Sequence, residues 1–184
     1  AVHDILEIKL TEAMTCPLID ENGFVSSAAL PQLKALLNDR QALAVGPGLG
    51  VSDGLRQLLG ELLVNTELPL VIDADGLNLL ARQLDVLKQR GGGQVILTPH
   101  PGEMSRLCGL SVPEIEADRY QVARNFAVEY GIILLLKGAR TVIAAPDGRV
   151  RINNSGNDGL ASGGSGDVLT GLIGSLLAQG LDPF

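Results

Sequence analysis

Residues Leu68 to Asn78 read LPLVIDADGLN, an apolar run that ends in two aspartates and a glycine. The run Leu68–Ile72 is short and bounded by Asp73, which is typical of a strand buried on both faces in a parallel sheet. A helical pattern from Leu77 to Leu87 follows Asp75. The stretch therefore predicts a strand followed directly by a helix, the unit from which parallel α/β sheets are built.

The same alternation of strand and helix extends on both sides of this stretch. Three further runs are brief, apolar and bounded by glycine, proline or aspartate, and we interpret them as strands: Ala42–Val45, Val95–Thr98 and Ile132–Leu136. Helical patterns lie beside them at Ala28–Leu37 after Ser26 or Ser27, at Asp53–Leu63 after Ser52, and at Pro113–Tyr130.

The helix predicted over Pro113–Tyr130 has the clearest ends. Ser111 and Glu114 form a capping-box pattern, and Gly131 is placed as a C-cap. One face of this helix carries a stripe at helical spacing, made of Ile115, Arg119, Val122, Phe126 and Tyr130.

The chain after Leu136 has a different pattern. The runs Thr141–Ala145 and Arg149–Ile152 flank Pro146-Asp147-Gly148, which indicates an antiparallel hairpin. A polar, glycine-rich loop then leads to a last helix from about Ser165 to Gln179. We therefore predict a single α/β domain, with a mainly parallel sheet, helices on both of its faces and an antiparallel hairpin at one edge.

The composition fits one globular domain, because the 184 residues are 46% apolar and 19% charged. The net charge of −7 argues against nucleic acid as a partner. No apolar stretch approaches the ~20 residues of a membrane helix, and the N-terminus has no signal-peptide pattern. Cys16 and Cys108 are far apart and no CxxC occurs, which favours free thiols in a reducing cytoplasm over a zinc site.

The strongest functional pattern is the segment Gly159–Gly171, which reads GLASGGSGDVLTG before an amphipathic helix. The start of a helix has unpaired N–H groups and a partial positive charge, and glycine lets a phosphate approach that backbone closely. The segment therefore predicts an anion hole with Asp167 in the first helical turn. The alternative is that Asp167 only compensates the helix dipole and that the glycines form a flexible loop.

Polar residues also follow the predicted strands, where ligands bind in open α/β sheets. Lys137 could reach a phosphate as a point charge, although a solvated strand-end lysine is more common. Asp73 and Asp75 could hold Mg²⁺ through water, or Asp75 could be a helix N-cap. His100 lies between two prolines, so it is held stiffly and exposed, which favours ligand contact.

A fourth loop, Gly46-Pro47-Gly48-Leu49-Gly50, follows the first predicted parallel strand. Its spacing does not fit a dinucleotide-binding GxGxxG fingerprint, and the chain contains no GxxxxGK[ST] motif, so the common P-loop and Rossmann signatures are excluded. No single loop is decisive. Together they place glycine, aspartate, histidine and lysine at the edge of the sheet where an α/β active site belongs.

In this order the motifs resemble those of the ADP- or ATP-dependent NAD(P)H-hydrate dehydratases, which belong to the ribokinase-like superfamily. The resemblance runs from about Val2 to the end of the chain, whereas the last motif alone would indicate only the superfamily. The matching segments are Ala44–Gly50, Val71–Asn78, Leu97–Glu103, Lys137–Thr141 and Leu160–Leu169.

The resemblance implies a metabolite-repair reaction in which nucleotide hydrolysis drives the removal of water from hydrated NADH or NADPH. It implies that Asp167 is the general base on the ring hydroxyl, which is phosphorylated before elimination. The implied substrate contacts are Gly48, Gly50, His100 and Asp167. The implied nucleotide and phosphate contacts are Lys137, Gly138, Ala139, Arg140, Thr141, Gly163, Gly164 and Gly166. Mg²⁺ is expected with the ADP or ATP phosphates, without assigned protein ligands.

The family domain normally begins with a further glycine-rich strand–loop–helix unit and ends in further helices, so we expect residues 1–184 to be a domain truncated at both ends. The resemblance also implies a cytoplasmic homo-oligomer, fused to or working with an NAD(P)H-hydrate epimerase. Two alternatives remain open. One is a vitamin-precursor or sugar kinase of the same superfamily, and the other is a non-catalytic nucleotide-binding module.

Overall fold

The computed structural model describes residues 3–184, so Val2, where the resemblance begins, lies outside the described part. The α-helices are α1 His3–Lys9, α2 Leu30–Leu37, α3 Asp53–Asn65, α4 Ala74–Leu80, α5 Pro101–Cys108, α6 Val112–Ala117, α7 Arg119–Tyr130 and α8 Ser165–Ala178. The strands are β1 Asp20–Glu21, β2 Phe24–Val25, β3 Leu43–Val45, β4 Leu70–Ile72, β5 Val95–Leu97, β6 Ile133–Leu136, β7 Val142–Ala144 and β8 Val150–Ile152.

The main sheet has six strands in the order β3-β4-β5-β6-β7-β8. Strands β3 to β6 are parallel, with Val45 opposite Ile72 and Ile72 opposite Leu97. Strands β7 and β8 continue the sheet as an antiparallel hairpin. The predicted α/β architecture, with its hairpin at one edge, is confirmed. The short pair β1–β2, which was not predicted, forms a separate antiparallel ribbon.

Helices cover both faces of the sheet, as predicted. Leu70 and Ile72 pack with α3, α4, α5 and α7, whereas Val71 packs with Leu177 of α8 on the other face. Successive side chains of a strand point to opposite faces, and all three of these β4 residues are 0% exposed. Each such burial stabilises the fold by about 1.5–3 kcal/mol. The α8 face is less covered, since Val168 is 72% exposed.

The single helix predicted over Pro113–Tyr130 is wrong, because two helices, α6 and α7, meet at Asp118. Asp118 has φ −149° and ψ 67°, and its carboxylate accepts a hydrogen bond from the amide of Gln121 as the cap of α7. The predicted ends are confirmed. Ser111 and Glu114 form a capping box that lowers the pKa of the Glu114 carboxyl, chiefly through the Ser111 hydroxyl, and Gly131 is a left-handed C-cap.

The helix predicted from Leu77 to Leu87 is also wrong in its bounds. Helix α4 begins at Ala74, directly after β4, and a separate 3-10 helix covers Leu84–Gln89. Helix α5 was not predicted at all, although Pro101 is a favoured residue in a first helical turn. The predicted helices over Asp53–Leu63 and Ser165–Gln179 agree with α3 and α8 to within two residues.

The parallel strands bring four loops to one edge of the sheet. The amide of Asp73 donates to the carbonyl of Val45 at 3.1 Å, and the amide of Lys137 donates to the carbonyl of Pro99 at 2.8 Å. The loops after β3, β4, β5 and β6 therefore lie along one edge of the sheet, as predicted. No helix among residues 3–184 combines the length and the apolar character needed to cross a membrane.

Candidate active site

Asp73 is the buried centre of the edge at which these loops meet. Asp73 is 1% exposed, and the two oxygens of its carboxylate have different partners. Oδ1 accepts from Nζ of Lys137 at 2.7 Å, and Oδ2 accepts from Oγ1 of Thr170 at 2.9 Å. One carboxylate therefore joins the carboxyl ends of β4 and β6 to helix α8. Because the charge is paired and hydrogen-bonded, its burial is tolerated.

The first turn of α8 lies on this ion pair. A Cβ added to Gly166 would lie 3.5 Å from Oδ2 of Asp73 and 3.6 Å from Nζ of Lys137. The positive end of the helix dipole thus lies next to the Lys137 ammonium, and the negative charge of the Asp73 carboxylate stabilises both positive charges. The Lys137 side chain remains 22% exposed, so an anion at the helix start could reach it.

Asp167 lies in the first turn of α8, as predicted, and it is exposed. The N-cap of the helix is Gly164, with φ +86°, and no side chain caps the helix there. The amide of Ser165 donates to the carbonyl of Ser162 at 3.3 Å, whereas no capping side chain occupies the amides of Gly166 and Asp167. A bound anion could accept from those two amides. Gly163, Gly164 and Gly166 are close to Asp167 in the sequence, so they lie at or just before the start of the same helix.

The start of the loop Lys137–Thr141 is held by the side chain of Arg119. Gly138 has φ +145°, and a Cβ there would crowd the Arg119 guanidinium at 2.5 Å from Nη1. Arg119 Nη2 donates to the carbonyls of Leu136 at 2.8 Å and Lys137 at 3.1 Å. The sequence prediction put Arg119 only on a helix stripe. The signal that could have revealed these bonds is that Arg119 carries a charged guanidinium on a stripe of otherwise mainly apolar residues. Such a group needs polar partners when it is buried.

The loop Gly46–Gly50 is fitted closely to its neighbours. A Cβ on Gly46 would overlap the carbonyl of Asp73, and one on Gly50 would overlap the ring of Phe24. Gly46, Gly48 and Gly50 all have positive φ, at +133°, +68° and +77°. Glycine is required for this path, because other residues rarely adopt it and two of the positions have no room for a side chain.

His100 is the N-cap of α5 and forms a capping box with Glu103. Its Nδ1 accepts from the amides of Gly102 at 3.0 Å and Glu103 at 3.3 Å, and its own amide donates to Oε2 of Glu103 at 2.8 Å. Because Nδ1 is an acceptor, Nε2 carries the ring proton. The His100 side chain is 52% exposed, so the prediction of a stiffly held, exposed ring is confirmed.

The two aspartates do not form a shared metal site. Asp73 faces Lys137 and Thr170, whereas Asp75 accepts from the amide of Gly50 at 2.9 Å and from the side chain of Asn78 at 3.3 Å. Asp75 is not the N-cap either, because that position is Asp73. Within residues 3–184 no group of three or more metal-ligating His, Cys, Asp or Glu side chains occurs.

The structure directly brings together only part of the predicted site. Lys137 and Gly166 meet at Asp73, a residue that the sequence prediction did not place beside them. Gly48, Gly50 and His100 lie on loops at the same edge of the sheet, after β3 and β5. We name the two groups of residues after the roles that the sequence predicts for them. The phosphate half is the group around Asp73, Lys137 and Gly166, and the substrate half is the group around Gly50 and His100.

A mainly parallel sheet with a glycine-rich helix start at its ligand edge defines the ribokinase-like class. The structure superposes on a ribokinase-like superfamily protein from Enterococcus faecalis with a TM-score of 0.69 and 28% identity, over 84% of this chain and 53% of that chain. The family model described as NAD(P)H-hydrate dehydratase matches residues 3–184. The chain belongs to this family.

Two relatives and one solved structure show how much of a longer protein is matched. The bifunctional NAD(P)H-hydrate repair enzyme Nnr of Moorella thermoacetica is 49% identical over 99% of this chain and 34% of its own length. The ADP-dependent (S)-NAD(P)H-hydrate dehydratase of Neisseria meningitidis is 45% identical over 79% of this chain and 50% of its own length. The ADP/ATP-dependent dehydratase of Bacillus subtilis has a TM-score of 0.70 and 34% identity, over 86% of this chain and 63% of that chain.

Proposed function

We propose that the chain carries the active site of a nucleotide-dependent NAD(P)H-hydrate dehydratase, an enzyme that restores NADH or NADPH from its hydrated form. One observation carries the proposal: an exposed carboxylate, Asp167, follows directly on a glycine helix start that lies over the Lys137 ammonium. Family membership supplies the substrate class, which the geometry alone does not specify.

Phosphoryl transfer is the first step. Hydroxide is a poor leaving group, so the ring hydroxyl of the hydrate must be activated. Asp167 accepts the hydroxyl proton while the oxygen attacks the terminal phosphorus of the nucleotide. An O–P bond forms and the bond to the leaving nucleotide breaks. The amides at Gly164–Gly166 and the Lys137 ammonium stabilise the charge on the transferred group.

Elimination is the second step. The new phosphate leaves with the electron pair of its C–O bond. The neighbouring ring carbon gives its proton to water or to the departing phosphate, and the C–H electron pair forms the ring double bond. The products are the dihydronicotinamide cofactor, inorganic phosphate and a nucleotide shortened by one phosphate. Gly48, Gly50 and His100 would hold the hydrate in the substrate half, where Nε2–H of His100 is a donor.

The nucleotide is ADP or ATP, bound with Mg²⁺. The Neisseria relative is named ADP-dependent, and the Bacillus protein was co-crystallized with ATP/Mg²⁺. Mg²⁺ keeps most of its ligands as water and phosphate oxygens and needs only one or two carboxylates. This fits a site whose carboxylates do not converge. The ion would neutralise phosphate charge during the transfer.

Three further properties belong to this proposal. The Moorella relative is called bifunctional, and this chain spans about a third of its length, which supports a partner activity on the same polypeptide. We assign that activity to an NAD(P)H-hydrate epimerase. We also assign a cytoplasmic location, where the cofactors are used, and a homo-oligomeric state.

Incubation with hydrated NADH tests the proposal. Addition of ADP or ATP with Mg²⁺ should restore the dihydronicotinamide absorbance, and hydrated NADH without nucleotide should not change. A stable phosphorylated acceptor without recovered absorbance would indicate a ribokinase-like kinase instead. Nucleotide binding with neither reaction would indicate a non-catalytic module.

A further inference from the structure

Three side chains link the loop after β3 to helix α5. Oδ2 of Asp75 accepts from the amide of Gly50 at 2.9 Å, and Oδ1 accepts from Nδ2 of Asn78 at 3.3 Å. Oδ1 of Asn78 in turn accepts from Nε of Arg106 at 2.8 Å. The amide oxygen and nitrogen of Asn78 are thus both used, each with a partner of the right kind. Gly50, α4 and α5 are joined in one network.

The backbone at Ala74 separates this network from the phosphate half. Ala74 has φ +48°, a left-handed conformation that costs a non-glycine residue roughly 1–2 kcal/mol. On one side of it Asp73 reaches Lys137 and Thr170, and on the other Asp75 reaches Gly50. Strain of this kind persists where surrounding contacts hold it and is concentrated at functional sites.

We propose that Asp75 is a positioning residue for the substrate half of the site, and that Asn78 and Arg106 extend its hold to α5. The proposal rests on the proposed function, because Gly48, Gly50 and His100 belong to the substrate half only if the chain binds the hydrate. Asp75 itself touches neither nucleotide nor hydrate. It acts through the amide of Gly50.

The loop Gly46–Gly50 needs a residue such as Asp75 because its own sequence does little to hold it in one conformation. Its three glycines in left-handed or otherwise positive-φ conformations have no side chains to restrict them, and glycine loses the most conformational freedom on folding. Within the loop one backbone bond, from the amide of Leu49 to the carbonyl of Gly46, closes a turn at 3.1 Å. The charged hydrogen bond to Asp75 fixes the far end of this turn, next to the Phe24 ring.

Two substitutions at position 75 separate positioning from charge. Asp75→Ala removes the acceptor of the Gly50 amide, whereas Asp75→Asn keeps one oxygen for that amide and loses only the bond from Asn78. A hydrogen bond to a charged group is strong enough that its loss should raise KM for hydrated NADH roughly tenfold or more. We expect this rise in Asp75→Ala, with substantial rescue in Asp75→Asn. The nucleotide Kd, measured by calorimetry, should stay within about twofold in both.

Amide hydrogen exchange reports on the network without any turnover. The Gly50 amide should be protected in the parent chain and in Asp75→Asn, and should exchange faster in Asp75→Ala. Asp85→Ala is the matched control, since the Asp85 side chain is 88% exposed and lies outside the site. It should change neither KM nor exchange.

The outcomes distinguish the two proposals. If the parent chain does not restore NADH but Gly50 exchange follows the expected pattern, the proposed function fails and the network stands as structure alone. Equal rises in KM for hydrate and nucleotide in Asp75→Ala would overturn the positioning role, because they would indicate general damage. An unchanged KM for the hydrate together with a deprotected Gly50 amide would overturn it too.

Discussion

The loops of the substrate half and the glycine loop before α8 are built in opposite ways. Gly50 is tied to Asp75, and His100 is tied to the first turn of α5 and to Glu103, whose side chain is 8% exposed. By contrast, every residue of the glycine loop, which runs from 153 to 164 between β8 and α8, is exposed. The substrate half is therefore organised before any ligand arrives. The glycine loop has few contacts that would hold it in one conformation.

The difference arises from the sequence. The substrate loops are short and lie between buried strands and helices, so packing fixes them. The glycine loop is polar, and its side-chain bonds are local: Ser155 donates to Asn153, Gly159 donates to Asn157, and Ser165 donates to the carbonyl of Ser162. Ordering a loop residue costs about 1–2 kcal/mol of backbone entropy. A bound nucleotide would have to offset that cost.

Asp167→Asn should have the largest effect and would sharpen the comparison. The substitution keeps the side-chain shape but removes the base, so turnover of hydrated NADH should fall by roughly 10²–10⁴. A helix-start carboxylate is worth only about 0.3–1 kcal/mol, so the unfolding midpoint in urea should change little. If Asp167→Asn keeps nearly full turnover and only loses stability, Asp167 has a structural role.

Asp73→Asn should act on stability, because it leaves the Lys137 ammonium without its counter-charge beneath α8. Breaking a buried pair costs about 3–5 kcal/mol, and the partial exposure of Lys137 reduces the expected loss to roughly 1–3 kcal/mol. Urea unfolding measures it. The control is Asp85→Asn at an exposed aspartate, which should stay within about 0.5 kcal/mol. Equal stabilities for both variants would show that the phosphate half is not held by Asp73.

Lys137→Met should weaken nucleotide binding by roughly tenfold, because it removes one charged partner of the phosphates and keeps the length of the side chain. Calorimetry with ADP and ATP measures the change. Lys34→Met on α2 is the control, since Lys34 is exposed and lies outside the site, and it should leave the affinity unchanged. Unchanged affinity in Lys137→Met would remove Lys137 from the nucleotide site and leave it as the counter-ion of Asp73.

A matched pair of glycine substitutions should have the smallest effect. A Cβ added to Gly163 or to Gly164 would have no neighbouring atom within 4 Å, so both positions have room for alanine. Only Gly164 has a positive φ, at +86°, which alanine adopts at a cost. Gly164→Ala should destabilise the chain by about 1 kcal/mol, and Gly163→Ala by less than about 0.5 kcal/mol. Equal values in thermal unfolding would mean that the start of α8 is as mobile as the loop before it.

The structural features that the sequence predicted correctly are those that depend on a short-range pattern of residues. Strand β4, Leu70–Ile72, was found because it lies in the short apolar run Leu68–Ile72, which ends at Asp73 and fits a sheet buried on both faces. Asp167 was placed in the first turn of α8 because a glycine run before an amphipathic helix is a local feature. The capping box of Ser111 and Glu114 was found for the same reason.

What the sequence did not predict depends on long-range contacts. Asp73 and Thr170 are 97 positions apart, and nothing local indicates that they share a hydrogen bond. The break at Asp118 was missed because apolar spacing continues across it, while the Asp118 side chain caps a new helix. Asp75 looked like a cap or a metal ligand. Its partner, the amide of Gly50, is set by how β3 and β4 pair.

Stoichiometry tests most directly whether nucleotide cleavage and ring dehydration are one reaction. The measurement follows inorganic phosphate and dihydronicotinamide absorbance in the same sample, with hydrated NADH, Mg²⁺ and either ADP or ATP, for the parent chain and for Asp167→Asn. We predict one phosphate released per ring restored, no phosphate release without the hydrate, and both signals lost together in Asp167→Asn. Phosphate release that proceeds without the hydrate, or ring restoration that survives in Asp167→Asn, would contradict a dehydratase built around Asp167.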